Sequence, residues 1–390
     1  MATYQTPGVY REDVALPPRA RLLTGVPVFL GYVSVDRRNP PVVETPQALT
    51  RWLEYEQSFG SAPQDYFLGL AVRGFFDNGG QFCFVVPLDR ELAGVEALAR
   101  GLAAIEPLTT VDLVCAPDIV RRGDVSAPPS RDQRRAMQRL VLDHCERLDD
   151  RLAVLDAWPG VGIDDVQVQR TGLSSRNGAL YYPWIDVLDP DTQATVLAPP
   201  CGHVAGVYAA TDQAVGVHKA PANVELNGVL DLEVRLTDVQ QAELNPIGIN
   251  CLRAFAGRGI RVWGARTLSD DPAWIYISVR RLFLTAGRWI AQNLSPVTFE
   301  PNDARLWTRI TRELTAYFEE LFDRGALRGA TAQQAFYVKC DADVNPPEVR
   351  DLGQVIVEIG LAPALPEEYV VVRITAGPTG VTISGPTTPG

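Results

Sequence analysis

Along most of the chain, short stretches that are apolar at consecutive positions alternate with longer ones in which apolar residues return every three or four places. The continuous runs are VPVFLGYV (26–33), QFCFVV (81–86), VDLVCAPDIV (111–120), RLAVLDA (151–157) and ALYYPWIDV (179–187). Between them the periodic stretches predict helices over 46–59, where Thr45 caps and Pro46 takes the first position, and over 66–76, 91–105 and 131–148. Strands apolar on both faces need cover on both faces, so the alternation predicts an α/β layer on a mostly parallel sheet. A Pro/Gly-bounded segment (199–223) with a short Ala-rich helix follows, and 245–265 reads as short strands.

The stretch 273–324 predicts two helices back to back. In the first, Val279, Leu282, Phe283, Ala286, Trp289 and Ile290 form one stripe and Arg281 and Arg288 lie on the opposite side. In the second, Asn302 can cap, Leu306, Ile310, Leu314, Tyr317, Phe318 and Leu321 form the stripe, and Gly325 is placed to end it. Its outer face is basic early (Arg305, Arg309, Arg312) and acidic late (Glu319, Asp323). Periodicity alone makes these charges a solvated face. Strands AFYVKCD, GQVIVEIGLAP and YVVVRIT come next, and the tail PTGVTISGPTTPG is flexible in composition. The expected organisation is an N-terminal arm (1–19), an outer α/β domain (20–250), an inner C-terminal α+β domain (251–366) and a C-terminal strand and tail (367–390).

A net charge of −11 works against a general nucleic-acid binder. Of 36 basic residues only Lys219 and Lys339 are lysine, so cationic contacts here use the planar arginine fork. No apolar run approaches the roughly 20 residues of a membrane span, and the first residues lack a secretion signal, which predicts a cytoplasmic start and no membrane insertion. The six cysteines are far apart and read as buried thiols rather than disulfides or zinc ligands. Nucleotide-binding, hydrolase and metalloprotease motifs are missing. Ser174 or Ser175 with His203 and Asp212 forms only a chance trio, His144 sits on an apolar helix stripe, and Cys201, His203 and His218 lack metal-ligand spacing. Asp77-Asn78-Gly79-Gly80 reads as a turn.

Several blocks together resemble the tail sheath proteins of contractile phage tails and related contractile injection systems. They are TPGVYREDV, FFDNGGQFCFVV, PPCGHVAGVYAATD with GVHKAPAN, VRRLFLTAGRWIAQ, FEPNDARLWTRI, FDRGALRGATAQQAFYVKCD and GQVIVEIGLAPALPEEYVVVRI, in the family's order. Cys201 and His218 stand where Ser and Trp are more usual. The resemblance implies a structural, non-enzymatic protein without cofactor or metal, stacking as six-fold rings around an inner tube and contracting to drive that tube through an envelope. Its implied partners are further copies of itself, the inner tube protein, and baseplate and terminal cap proteins. It also implies arms that add strands to neighbouring subunits: Gly8, Val9 and Tyr10 at one end, and Tyr369, Val370, Val371, Val372, Arg373 and Ile374 at the other, with Pro17, Pro18 and Pro366 as hinges. Arg280, Arg281 and Arg288 become the expected tube contact, with Arg305, Arg309 and Arg312 behind them. The competing expectation is a cytoplasmic α/β enzyme or ligand-binding protein.

Overall fold

The computed structural model describes residues 22–34, 42–60, 66–121, 128–295, 300–366, 373–377 and 380–384. The expected arm strand and hinge at Gly8, Val9, Tyr10, Pro17 and Pro18, and Tyr369 to Val372, lie outside the described residues.

The first strands are β1 (Pro27–Gly31), β2 (Gln47–Leu49), β3 (Cys83–Pro87), β4 (Leu113–Cys115), β5 (Leu152–Asp156) and β6 (Gly178–Tyr182). Then come β7 (Ile185–Leu188), β8 (Thr195–Ala198), β9 (Val224–Glu225), β10 (Val229–Leu232), β11 (Ile249–Phe255) and β12 (Gly259–Val262). Nine of these form one sheet in the order β2-β3-β1-β4-β5-β6-β11-β12-β9. From β3 to β11 all neighbours are parallel, while β2, β12 and β9 pair antiparallel at the two sides. β1, β5 and β6 are buried at every position, as their uninterrupted apolar sequences require. A second, antiparallel sheet runs β10-β7-β8.

Among the described residues the helices of seven residues or more are α1 (Trp52–Phe59), α2 (Leu68–Asp77), α3 (Gly94–Ala104), α4 (Arg131–Leu148), α5 (Ile163–Thr171), α6 (Cys201–Ala214), α7 (Asp238–Leu244), α8 (Ile277–Leu294) and α9 (Ala304–Asp323). α4 has the expected bounds because Ser130 and Gln133 form a reciprocal capping box and Asp149 turns left-handed at its end. α1 starts later than Thr45-Pro46 suggests, because 47–49 is drawn into an antiparallel pairing with β3. α2 and α6 cross in close contact: a Cβ on Gly202 would lie 2.0 Å from the Ala71 carbonyl oxygen, so only glycine fits there. Asp156 is buried and accepts the Cys201 N–H at 2.8 Å, capping α6 from the end of β5.

A large core fills both faces of the main sheet, and a smaller one gathers Leu306, Ile310, Leu314, Phe318, Ala326, Leu327 and Phe336 around α9. α8 belongs to both: Ile277 and Leu284 enter the large core, Leu282 and Ala286 the small one. The remaining strands are β13 (Phe336–Lys339) with β14 (Glu358–Leu361), and β15 (Arg373–Gly377) with β16 (Gly380–Ser384), each an antiparallel pair. The tail that composition makes flexible therefore holds a strand. The expected boundary at 250/251 falls inside β11, which is a full member of the nine-stranded sheet.

Candidate functional site

α8 and α9 carry the arginines expected to form a basic outer face. In α8 that face is interior. Arg280, Arg281 and Arg288 are 4%, 2% and 7% exposed, because Ile277, Arg281, Leu284 and Arg288 follow one another on the helix side that meets the main sheet. Arg281 grips Asp212 with both arms, Nη1 to Oδ1 at 2.7 Å and Nη2 to Oδ2 at 2.6 Å, and Nη2 also donates to Asp112 Oδ2 at 2.8 Å. Its guanidinium lies 5.0 Å from the Tyr208 ring centroid. Burial opposes the Arg281 charge, but Asp212 and Asp112 reverse this and raise it above the ordinary arginine range. Asp112 also accepts the N–H groups of Gly25 at 3.0 Å and Val26 at 2.7 Å.

Arg288 donates through Nη2 to the carbonyls of Leu23, Thr109 and Thr110 at 2.9–3.2 Å, and its Nη1 is 3.8 Å from Asp112. Arg280 donates to Asn177 Oδ1 at 2.7 Å, pairs with Asp149 and stacks on Trp274. These three side chains fasten α8 to the root of β1, the start of β4, the end of α6 and the end of α4. A buried arginine is tolerated where carboxylates and acceptors meet it; Arg281 is matched in this way, whereas Arg288 uses Nη2 alone and leaves Nε and Nη1 without a hydrogen bond among the described residues. They cannot reach an external partner from this position, so Arg280, Arg281 and Arg288 are withdrawn as tube contacts.

α9 does show an outer face. Asp303 caps it by accepting from the N–H groups of Arg305 and Leu306; Asn302, the expected cap, instead accepts from the Trp307 indole. Arg305 and Arg312 are exposed, while Arg309 is partly covered and pairs with Glu300 at 2.7 Å and Glu313 at 3.6 Å. The inner face stacks Tyr317 flat on Trp289 of α8, with ring centroids 4.0 Å apart. Beyond α9, β13 and β14 pair with each other and no third strand joins them among the described residues. Arg373 and Ile374, expected in a donated strand, pair with Ser384 and Ile383 of their own hairpin. Pro366 lies between β14 and that hairpin.

The imagined serine trio is not assembled. Ser174 donates to Asp270, Ser175 donates to Glu146, Asp212 is held by Arg281, and the buried His203 Nδ1 has no hydrogen-bond partner among the described residues. All six cysteines are buried.

The fold recurs in solved assemblies. The helical sheath of the anti-feeding prophage in its contracted state is 34% identical, superimposes with a TM-score of 0.78, and is matched over 96% of this chain and 100% of that one. The chain belongs to the tail sheath protein family. An extracellular contractile injection system sheath, also contracted, matches at 29% identity and TM-score 0.76 over 97% and 99% of the two chains. The family profile for the phage tail sheath protein central domain covers residues 96–268 and that for the phage tail sheath C-terminal domain covers 269–377. Curated relatives include the tail sheath proteins of Vibrio phage KVP40, 27% identical over 58% of this chain and 36% of its own length, and of Escherichia phage P2, 26% identical over 59% and 57%. The chain thus spans between about a third and somewhat over half of those two relatives.

As a sheath protein it has a C-terminal profile that opens just before α8, the helix whose arginines reach back into the central domain. Sequence reasoning missed the acidic half of that junction. Asp112 opens an apolar strand and Asp212 closes an apolar helix, and a lone carboxylate beside a long buried run is the signal that could have marked them. The Asn-Gly-Gly block also does more than turn: Asn78 is buried, donates to the Gly74 and Asn227 carbonyls and accepts the Asn227 N–H, clamping a loop to the end of α2.

Proposed function

We propose that the chain is a contractile sheath subunit, stacking as six-fold rings around an inner tube and shortening to drive that tube through a target envelope. The small sheet β13–β14 carries the reading. Two antiparallel strands are marginal alone, and among the described residues no third strand joins either outer edge of this pair, while Tyr337 stands 58% exposed. An arm from a neighbouring subunit satisfies such an edge through backbone hydrogen bonds that depend little on side-chain identity, so the link survives large rotations of the subunit bodies. The segments 1–19 and 367–390 supply the arms, and Pro17, Pro18 and Pro366 are their hinges. The C-terminal donor is the β15–β16 hairpin rather than a lone strand.

The tube contact falls to the outer face of α9, through Arg305 and Arg312 with Arg309 beside them. Exposed ion pairs contribute only ~0.2–1 kcal/mol each, which leaves every contact breakable while repetition around each ring adds them up. Baseplate attachment is supported by a 33% identical chain in the six-fold symmetrised anti-feeding prophage baseplate. Such a subunit is part of a phage tail or tail-like particle, assembled in the cytoplasm, together with tube and terminal cap proteins.

Electron microscopy of the purified chain tests both parts. Tubes or rings are expected from the full chain. After deletion of residues 1–15, circular dichroism is expected to be unchanged and assembly lost. Dispersed small oligomers from the full chain would refute the sheath reading, and normal tubes from the truncated chain would refute strand donation.

A further inference from the structure

The two faces of the small sheet β13–β14 differ in a way that singles out one of its edges. Phe336 and Val338 on β13, with Ile359 and Leu361 on β14, turn into the small core around α9. The opposite face carries the directly paired rows Tyr337–Gly360 and Lys339–Glu358. There the exposed Tyr337 ring reaches across onto β14: a Cβ on Gly360 would lie 2.1 Å from Tyr337 Cε1, so the ring occupies the space of the missing side chain. The neighbouring hydrogen bonds fix the backbone directions. Ala362 donates to the Ala335 carbonyl at 2.8 Å and Ala364 to the Ala326 carbonyl at 3.0 Å, so the even-numbered residues of this stretch turn toward β13. By alternation Ile359 and Leu361 turn their N–H and C=O groups to the outer edge of β14, where no strand pairs with them among the described residues.

Resting on the strand donation above, we propose that this edge of β14 receives residues 7–11 of a second copy, antiparallel, with Val9 opposite Gly360 and Arg11 opposite Glu358. Val9 then packs on the Tyr337 ring as an aromatic and β-branched pair, and Arg11 meets a carboxylate. Tyr10 turns the other way, beside Ile359 and onto the small core. Gly8 and Tyr10 exchange backbone bonds with Leu361 and Ile359, while Pro7, which has no N–H, falls opposite Ala362 where none is needed. Other registers lose this agreement. A shift of one residue moves Pro7 to a bonding position and Tyr10 off the core face. A shift of two sets Asp13 against Glu358, or carries Arg11 past it to Ile356. Tyr337 and Glu358 are thus the residues that read the arm.

Cysteine cross-linking of the assembled full chain tests the register. The six native cysteines are buried, and opposed residues of a non-bonded pair lie about 4.5 Å apart at Cα, within disulfide range. Arg11→Cys with Glu358→Cys, oxidised with diamide, is expected to give a ladder of linked chains on a non-reducing gel. Glu12→Cys with Glu358→Cys places the thiols on opposite faces and is expected to give none. Charge reversal decides if the cysteine pair does not assemble: Arg11→Glu should raise the concentration needed for assembly about fivefold, and adding Glu358→Arg should restore it. Tyr337→Ala should raise it by a similar factor without changing the melting temperature of the dispersed chain, and Tyr337→Phe should leave it unchanged. The inference is overturned if the control pair links as readily as the test pair, if the test pair assembles without linking, or if charge reversal is not rescued. Should the chain lacking residues 1–15 assemble normally, strand donation itself fails; if that chain does not assemble and the test pair stays unlinked, donation stands and only this register falls.

Discussion

Replacing Arg281 with Met removes one cation from a cluster in which two arginines, Arg281 and Arg288, face two carboxylates, Asp112 and Asp212, all of them buried. The methionine fills part of the space, but Asp212 loses both of its contacts at 2.6–2.7 Å and Asp112 one at 2.8 Å. Breaking a buried pair by removing one partner costs about 3–5 kcal/mol, well above the ~1 kcal/mol of a surface pair. Burial already raises the Asp212 carboxyl and Arg281 is the group that opposes this, so without Arg281 Asp212 rises further and gains a proton more readily in the folded state. The variant's deficit should therefore be largest at neutral pH and shrink as pH falls toward 4 to 5. Adding Asp212→Asn restores neutrality, with Arg288 still facing Asp112, and should recover more than half of the loss. Urea unfolding of dilute protein, followed by the fluorescence of Trp158 and Trp184 in the large core, reads the effect. A loss under about 1 kcal/mol, or no recovery in the double variant, would mean that the cluster does not hold α8 to the central domain.

Three further outcomes are expected. Changing Arg305 and Arg312 to Glu should leave the melting temperature nearly unchanged and abolish extended sheath on tubes, while free sheath still polymerises; extended particles at normal frequency in micrographs would dismiss α9 as the tube contact. Burial lowers His144 and His203 to about 4, which removes stability as pH falls from 6.5, whereas it raises Asp118 to about 6 and Asp156 to about 7, which removes stability as pH rises from near 4. The two pairs oppose each other, so melting temperature should be nearly flat between pH 4 and 6, and His203→Gln should tilt it toward greater relative stability at the acid end. Burial raises the Cys83 thiol strongly and the Cys251 thiol to about 12, so both should react slowly with thiol reagents until the chain unfolds; rapid native labelling in a mass-spectrometric time course would contradict their burial.

The mostly parallel sheet and α4 were legible because each rests on a local signal, runs of consecutive apolar residues for the strands and an apolar stripe for the helix. The arginines of α8 were not. An amphipathic stripe assumes one buried side, but α8 lies between two cores and has two, so the side opposite Leu282 and Ala286 faces the central domain instead of water. Only the partners Asp112 and Asp212, 169 and 69 residues away, distinguish the cases, and periodicity does not look that far. Thr45-Pro46 failed for a related reason, since pairing with β3 decides what 47–49 becomes. On α9 a single core lies on one side, and there the stripe and the exposed Arg305 and Arg312 came out as the spacing implies.

The nine-stranded sheet closes with β2 at three residues and β9 at two. Strands that short offer hardly any template to another chain, whatever its concentration. Freshly made subunits can therefore crowd together without the main body seeding fibres. Under the strand donation proposed above, growth would be left to the small sheets, where adding a copy would require the correct arm and fix the orientation of the newcomer, so that the polymer would lengthen in one geometry instead of tangling.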